Sequence, residues 1–193
     1  MDASLDAVPR ELRTARLVLR AWRGADAEAL RPVLLANQEH LSPWIPEHVY
    51  SAPPLPQLIA RLEEFASNFS AGQSFRYALR DLRTDRVLGS MSLFPRNDTA
   101  RVSLAEADRV EIGYWLDAAA TGQGLVTEAA RALLEAAARL PGVRSAEIHC
   151  HADNAPSNAV PRRLGFELAG MDGEMQLWRR PFAVANVAAE RPD

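Results

Sequence analysis

Residues 111–128 read EIGYWLDAAATGQGLVTE. Val110 to Asp117 carries the β-branched and aromatic residues of a strand. Gly122-Gln123-Gly124 then breaks the chain, and apolar residues recur at helical spacing: Leu125, Ala129, Ala130, Leu133, Leu134 and Ala137. A helix is expected from Gly122 to about Arg139, ended by Pro141-Gly142. Glycines at such a turn let backbone N–H groups approach an anion closely. The first helical turn leaves N–H groups unpaired, and the helix dipole adds about half a positive charge. A pyrophosphate fits that arrangement without any lysine. A plain tight turn from strand to helix would use the same residues. The dinucleotide fingerprint does not apply, because its third glycine is missing.

Working outward, Arg16 to Trp22 alternates as a strand does, with Leu17 and Leu19 on one face and Val18 and Arg20 on the other. Asp26 can cap a helix to about Asn37, shortened or kinked by Pro32. Ser42 to Pro56 holds five prolines in fifteen residues, which predicts a loop or lid without regular structure. Leu58, Leu62, Phe65 and Phe69 form one stripe of a helix over Leu55 to Phe69. Phe75 to Asp81 and Val87 to Phe94 read as a hairpin around Arg83-Thr84-Asp85, followed by a polar connector to Asp108. Beyond the central helix come a strand from Arg144 to Ala152, a short helix from Pro156 to Leu164, and a strand pair over Phe166 to Ala169 and Met175 to Arg180. The mixture describes one α+β sheet domain.

Composition agrees. The 193 residues include 22 Lys+Arg, all of them arginine, against 25 Asp+Glu, for a net charge of −3. Codon bias explains the missing lysine most simply. That charge supplies no global field to draw the chain onto nucleic acid or a membrane surface. Cys150 is the single cysteine, so no internal disulfide forms. The first residues lack a signal-peptide core, and no stretch approaches the ~20 apolar residues of a span, so a cytoplasmic location is expected. His149-Cys150-His151 suggests a metal cluster, but on a strand the histidines share one face and the cysteine takes the other. No metal is expected, and Cys150 reads as a buried structural residue.

Several blocks, in order, resemble the GNAT acyltransferases, and within them the ribosomal-protein N-terminal acetyltransferase (RimJ/RimL) branch. They are Leu12 to Arg20, Asn37 to Pro46 (NQEHLSPWIP), Glu111 to Leu116, Thr121 to Ala129, and Ala152 to Ser157 with Leu164-Gly165-Phe166. Two positions depart from the pattern. Ala119 stands where the general loop has Arg or Gln, and Pro161 lies inside the short helix.

The resemblance implies a GNAT fold: a mixed, mostly antiparallel twisted sheet flanked by helices and splayed at the acyl-CoA site. It implies a domain over 10–181, an N-terminal extension over 1–9 and a C-terminal tail over 182–193. Acetyl-CoA is the expected co-substrate. The backbone of Trp115 and Leu116 would pair with the pantetheine arm. The loop from Gly122, with the N–H groups of Gln123, Gly124, Leu125, Val126 and Thr127, would hold the pyrophosphate, and Asn154 would bond a pantetheine amide. Ser157 stands as general acid for the leaving thiolate, or as a helix N-cap. Glu111 stands as acceptor of the amine proton, directly or through water, or as a solvated strand carboxylate. Trp44 and His40 would wall the acceptor site, with Trp44 alternatively a loop anchor.

The chemistry narrows the acceptor. An α-amino group has a pKa of ~7.7–8.0, so neutralising it at pH 7 costs about 1 kcal/mol, against about 4.6 kcal/mol for a lysine. A protein or peptide N-terminus is therefore the easier acceptor for direct attack in a ternary complex. The alternatives are a small-molecule amine, a succinyl donor held by an arginine, or a non-catalytic acyl-CoA-binding module. A homodimer is among the assemblies the resemblance allows.

Overall fold

The computed structural model describes residues 8–183. The expected extension and tail therefore fall mostly outside the described residues. Their described parts belong to the domain: Val8 is buried in the core, the Pro9 carbonyl accepts the Tyr77 hydroxyl at 2.8 Å, and Phe182 packs on the core.

Eight strands form one sheet: β1 (Glu11–Arg13), β2 (Leu17–Ala21), β3 (Phe75–Asp81), β4 (Val87–Arg96), β5 (Arg109–Leu116), β6 (Ser145–His151), β7 (Glu167–Asp172) and β8 (Met175–Pro181). Their order is β1-β2-β3-β4-β5-β6-β8-β7. Every neighbouring pair is antiparallel except β5–β6, which is parallel. The helices are α1 (Ala27–Ala36), α2 (Gln38–Leu41), α3 (Glu47–Tyr50), α4 (Leu55–Ser70), α5 (Leu125–Ala137) and α6 (Ala155–Arg163). The sheet is GNAT-like, as the sequence implied.

Two differences from the sequence reading have local causes. The block Leu12 to Arg20 is a hairpin: β1 precedes the expected strand, and the Thr14 amide bonds the Leu17 carbonyl at 2.9 Å to turn the chain. The proline-rich stretch contains one helical turn, α3, because Pro46 is an extended residue that sets up a turn and no proline recurs until Pro53.

Period-2 alternation divides the core between the sheet faces. Leu17, Leu19, Tyr77, Leu79, Met91, Leu93, Val110 and Ile112 pack with the apolar stripe of α5 on one face. Trp22, Ala78 and Trp115 pack with α1 and α4 on the other. The two clusters explain the neighbours Tyr114 and Trp115. Trp115 is core on the α1/α4 face, whereas Tyr114 turns toward the α5 side and stays half-buried.

One backbone approach limits what β4 tolerates. A methyl group at Gly89 would lie 2.2 Å from the Trp115 carbonyl oxygen. Gly89→Ala should force β4 and β5 apart and destabilise the protein by about 2 kcal/mol or more. Urea unfolding checks this, with an unchanged midpoint as the contrary result.

Candidate active site

The parallel pair is short. Arg109, Val110 and Glu111 of β5 pair with Ser145, Ala146 and Glu147 of β6, and the strands then part. From Ile112 onward the β6-facing edge of β5 has no partner strand. A cavity of about 420 Å³ fills the gap, bounded by Ile112 to Leu116 on one side and by His149, Cys150 and His151 on the other. It reaches both faces of the sheet: Ser157 and the start of α5 line one end, and Trp44, His40 and Met175 line the other.

The α5 end is built as the sequence suggests. Gly122 and Gly124 both have φ +74°, where an L side chain is strained, and Gly124 is the N-cap of α5. Leu125, Val126 and Thr127 form the first turn, whose N–H groups have no intrahelical acceptor. An arginine braces this loop. Arg16 donates through Nη1 to the Gln123 carbonyl at 3.0 Å and pairs with Glu128 at 2.6 Å. Glu128 also accepts from Thr14 Oγ1 at 2.5 Å and from the Arg16 amide at 3.0 Å. The carboxylate thus ties the β1–β2 turn to the first turn of α5. Burial raises the Glu128 pKa, but the bonds from Thr14 and Arg16 outweigh it and hold it below the ordinary value.

At the start of α6 the capping residue is Asn154, whose Oδ1 accepts the Ser157 amide at 3.1 Å. The capping alternative for Ser157 is thereby corrected: its hydroxyl is not engaged in the cap. Ser157 Oγ lies 3.2 Å from both Tyr114 Oη and Cys150 Sγ. Tyr114 donates its own hydrogen to the Ser157 carbonyl at 3.0 Å, leaving its oxygen free to accept. Burial pushes the Tyr114 and Cys150 pKa values up, so both groups are protonated at neutral pH. Asn158 locks this corner. It is buried, donates to the carbonyls of His151, Ala152 and Asn154, and accepts Trp178 Nε1 at 3.0 Å.

The opposite face carries charge. Glu111 and Glu147 are register partners where the strands part. Arg96 and Arg101 reach Glu111 at 2.5 and 2.6 Å, and Arg179 reaches Glu147 at 2.6 Å with Arg109 at 3.4 Å. Burial alone would raise the Glu111 pKa, yet the Arg101 and Arg96 contacts hold it below the ordinary range. For Glu147 burial is likewise outweighed, by His149 and by the bonds and charges of Arg179 and Arg109, and its pKa falls to about 2.

An acetyltransferase (GNAT) domain family matches residues 16–167. The chain belongs to the GNAT acetyltransferase family. Its curated relatives include the ribosomal-protein-serine acetyltransferase of Escherichia coli, 37% identical over 91 residues, which is 46% of this chain and 45% of that protein. The match thus spans under half the length of that relative. The candidate ribosomal N-acetyltransferase YdaF of Bacillus subtilis is 26% identical over 159 residues, 78% of this chain and 77% of that one. Among solved structures, RimL, the ribosomal L7/L12 alpha-N-protein acetyltransferase in complex with coenzyme A, superposes with a TM-score of 0.74. That match has 24% identity and covers 91% of this chain and 97% of RimL.

In this GNAT chain most of the expected site residues meet at one cavity. Trp115, Leu116, Gly122, Gly124, Leu125, Val126, Thr127, Asn154, Ser157, Trp44 and His40 all line it. Gln123 does not; its side chain turns back toward the Ala119 carbonyl at 3.5 Å. Glu111 does not line it either. Its carboxylate is tied to two arginines, a geometry that opposes its use as a proton acceptor. Tyr114, Cys150, His149 and His151 also line the cavity, although they are not among the expected site residues. Strand parity places them on the two faces of the same strand gap; the missing signal was where β5 and β6 part. Among the described residues no group of three or more His, Cys, Asp or Glu is placed to share a metal ion, and no helix is long and apolar enough to cross a membrane.

Gly124→Glu should weaken coenzyme A binding more than 100-fold, because it adds strain of about 1–2 kcal/mol at a left-handed position and sets a carboxylate at the anion seat. Isothermal titration reads the loss, and unchanged affinity would refute the loop assignment. Glu147 sets an acid limit on the fold. Its folded pKa of about 2 lies below the ordinary 4.5, so its stabilisation is full above about pH 4.5 and is lost as pH falls toward 2. Glu147→Gln should flatten the pH dependence of the melting temperature across that window; an equally steep slope in the variant would contradict the assignment.

Proposed function

We propose that this protein transfers an acetyl group from acetyl-CoA to an N-terminal α-amine, that of a ribosomal protein being the favoured class, by direct attack in a ternary complex. The observation that carries the reading is the cavity between β5 and β6, open to both sheet faces with an anion seat at one end only. The loop from Gly122 to Thr127 would take the pyrophosphate on backbone N–H groups. The unpartnered edge of β5 at Trp115 and Leu116 suits the pantetheine arm, and the Asn154 side-chain amide suits one of its carbonyls. The acyl carbon would then lie in the strand gap, with Trp44 and His40 on the acceptor side.

The amine nitrogen attacks the thioester carbon. The N–C bond forms, the C–S bond breaks, and its electron pair goes to sulfur. The proton released by nitrogen balances the one that sulfur gains. Ser157 would supply the hydroxyl that meets the departing thiolate. Cys150 is a poor nucleophile here, because burial keeps its thiol protonated, which supports direct transfer over an acyl-enzyme. An acetyl donor is favoured over succinyl. Among the described residues the arginine lining the cavity is Arg163, six residues and about 9 Å of helix rise beyond Ser157.

The ribosomal acceptor rests on the names of the relatives and on the low cost of neutralising an α-amine. A cytoplasmic place of action goes with that acceptor. A homodimer stays part of the proposal, since Leu168 and Met171 are exposed on the edge strand β7.

A thiol-release assay tests this with acetyl-CoA or succinyl-CoA against peptides bearing ribosomal-protein N-termini and against small amines. Turnover with acetyl-CoA and N-terminal peptides is expected. Coenzyme A binding with no transfer to any acceptor would leave a binding module instead. Ser157→Ala should lower kcat about 100-fold with coenzyme A affinity nearly unchanged; wild-type turnover would remove Ser157 from the chemistry.

A further inference from the structure

With Glu111 tied to two arginines, the acceptor face needs another group to take the amine proton. Two histidines of β6 line the cavity there, and their environments differ. His151 is committed at both ring nitrogens. Its Nδ1 accepts the Asp153 amide at 3.2 Å, and its Nε2 lies 3.2 Å from Glu174 Oε2. The edge of Trp44 also packs on its ring, with centroids 5.7 Å apart. Among the described residues His149 makes no hydrogen bond at either nitrogen. Its Nε2 is sealed from solvent and faces Glu147 Oε2 at 3.7 Å, longer than a full hydrogen bond yet close enough to help lower the Glu147 pKa.

We infer that His149 is the proton acceptor of the transfer reaction, oriented by Glu147. The inference rests on the acetyltransferase reading above. Nε2 faces the fixed anion of Glu147, so it is the nitrogen that carries the ring proton. Nδ1 is the basic nitrogen, on a side chain bordering the gap where amine and thioester meet. As the N–C bond forms, the amine proton passes to Nδ1 and the ring becomes a cation beside Glu147. Glu147 cannot take that proton itself, because Arg179 and Arg109 hold it ionised. Glu147 is a positioning residue; His149 is the catalytic one.

The charged surroundings of the ring are Glu147 on its own strand, Glu111 with Arg96 and Arg101 across the strand pair, and Arg179 of β8. His40 of α2 and His151 are the other titratable groups of this end of the cavity. Glu111 and Glu147 remain ionised and their arginines remain charged through neutral pH.

The test uses the full chain, acetyl-CoA and the N-terminal peptide that the wild type turns over best. His149→Gln should lower kcat about 100-fold while KM for acetyl-CoA changes less than threefold. In His149→Ala, added imidazole should restore part of the lost rate, a readout that a merely structural role would not move. A melting temperature near that of the wild type shows that each variant is folded. Wild-type kcat in His149→Gln would overturn the assignment, as would a slow His149→Ala that imidazole leaves unchanged. If the wild type acetylates no peptide or amine at all, the acetyltransferase reading fails and the role of His149 fails with it.

Discussion

The structure turns on the point where β5 and β6 stop pairing. Glu111 and Glu147 face each other across the last parallel rung, and adjacent like charges on neighbouring strands repel. Four arginines resolve the conflict, two on each carboxylate. Arginine suits the task because its planar fork offers several fixed donors and stays charged at any working pH. The rung is therefore a clamp at the closed end of a V. Beyond it the strands are free to separate, and their separation is the cavity.

Each side of the V draws on different physics. On the α5 side the elements are backbone and dipole: left-handed glycines, unpaired N–H groups, and a loop braced by Arg16 and Glu128. On the α1/α4 side they are side chains: imidazoles, an indole and ionised carboxylates. The strands themselves connect the two. Along β6, Cys150 faces Ser157 and Tyr114, while His149 and His151 face the other way. A one-residue slip of β6 would exchange these faces and dismantle both ends at once.

Much of this was legible in the sequence. The strand–Gly-x-Gly–helix unit, α4 with its apolar stripe, and the β3–β4 hairpin lie within a few residues of their expected bounds, because their periodicity is strong and their ends carry turn residues. The loop residues were suggested by local chemistry and Ser157 by the family resemblance, and apart from Gln123 they line the cavity. The partners of Glu111 were not legible, because Arg96 and Arg101 come from the end of β4 and the connector after it, whose path depends on tertiary packing. His149 was passed over because its meaning depends on where two strands distant in sequence diverge, which no local pattern records. The cap of α6 falls at Asn154 and not at Ser157, although the helix starts within one residue of its expected bound.

A cavity that pierces the sheet has a consequence for traffic. In the proposed reading the nucleotide donor docks against helix ends on one side, and the amine enters from the other. Neither ligand stands in the other's doorway. A folded substrate as large as a ribosomal protein can rest at its entrance while spent coenzyme A leaves from the opposite side. The bulk of the acceptor is then limited only by the surface around Trp44 and His40, not by the length of the tunnel.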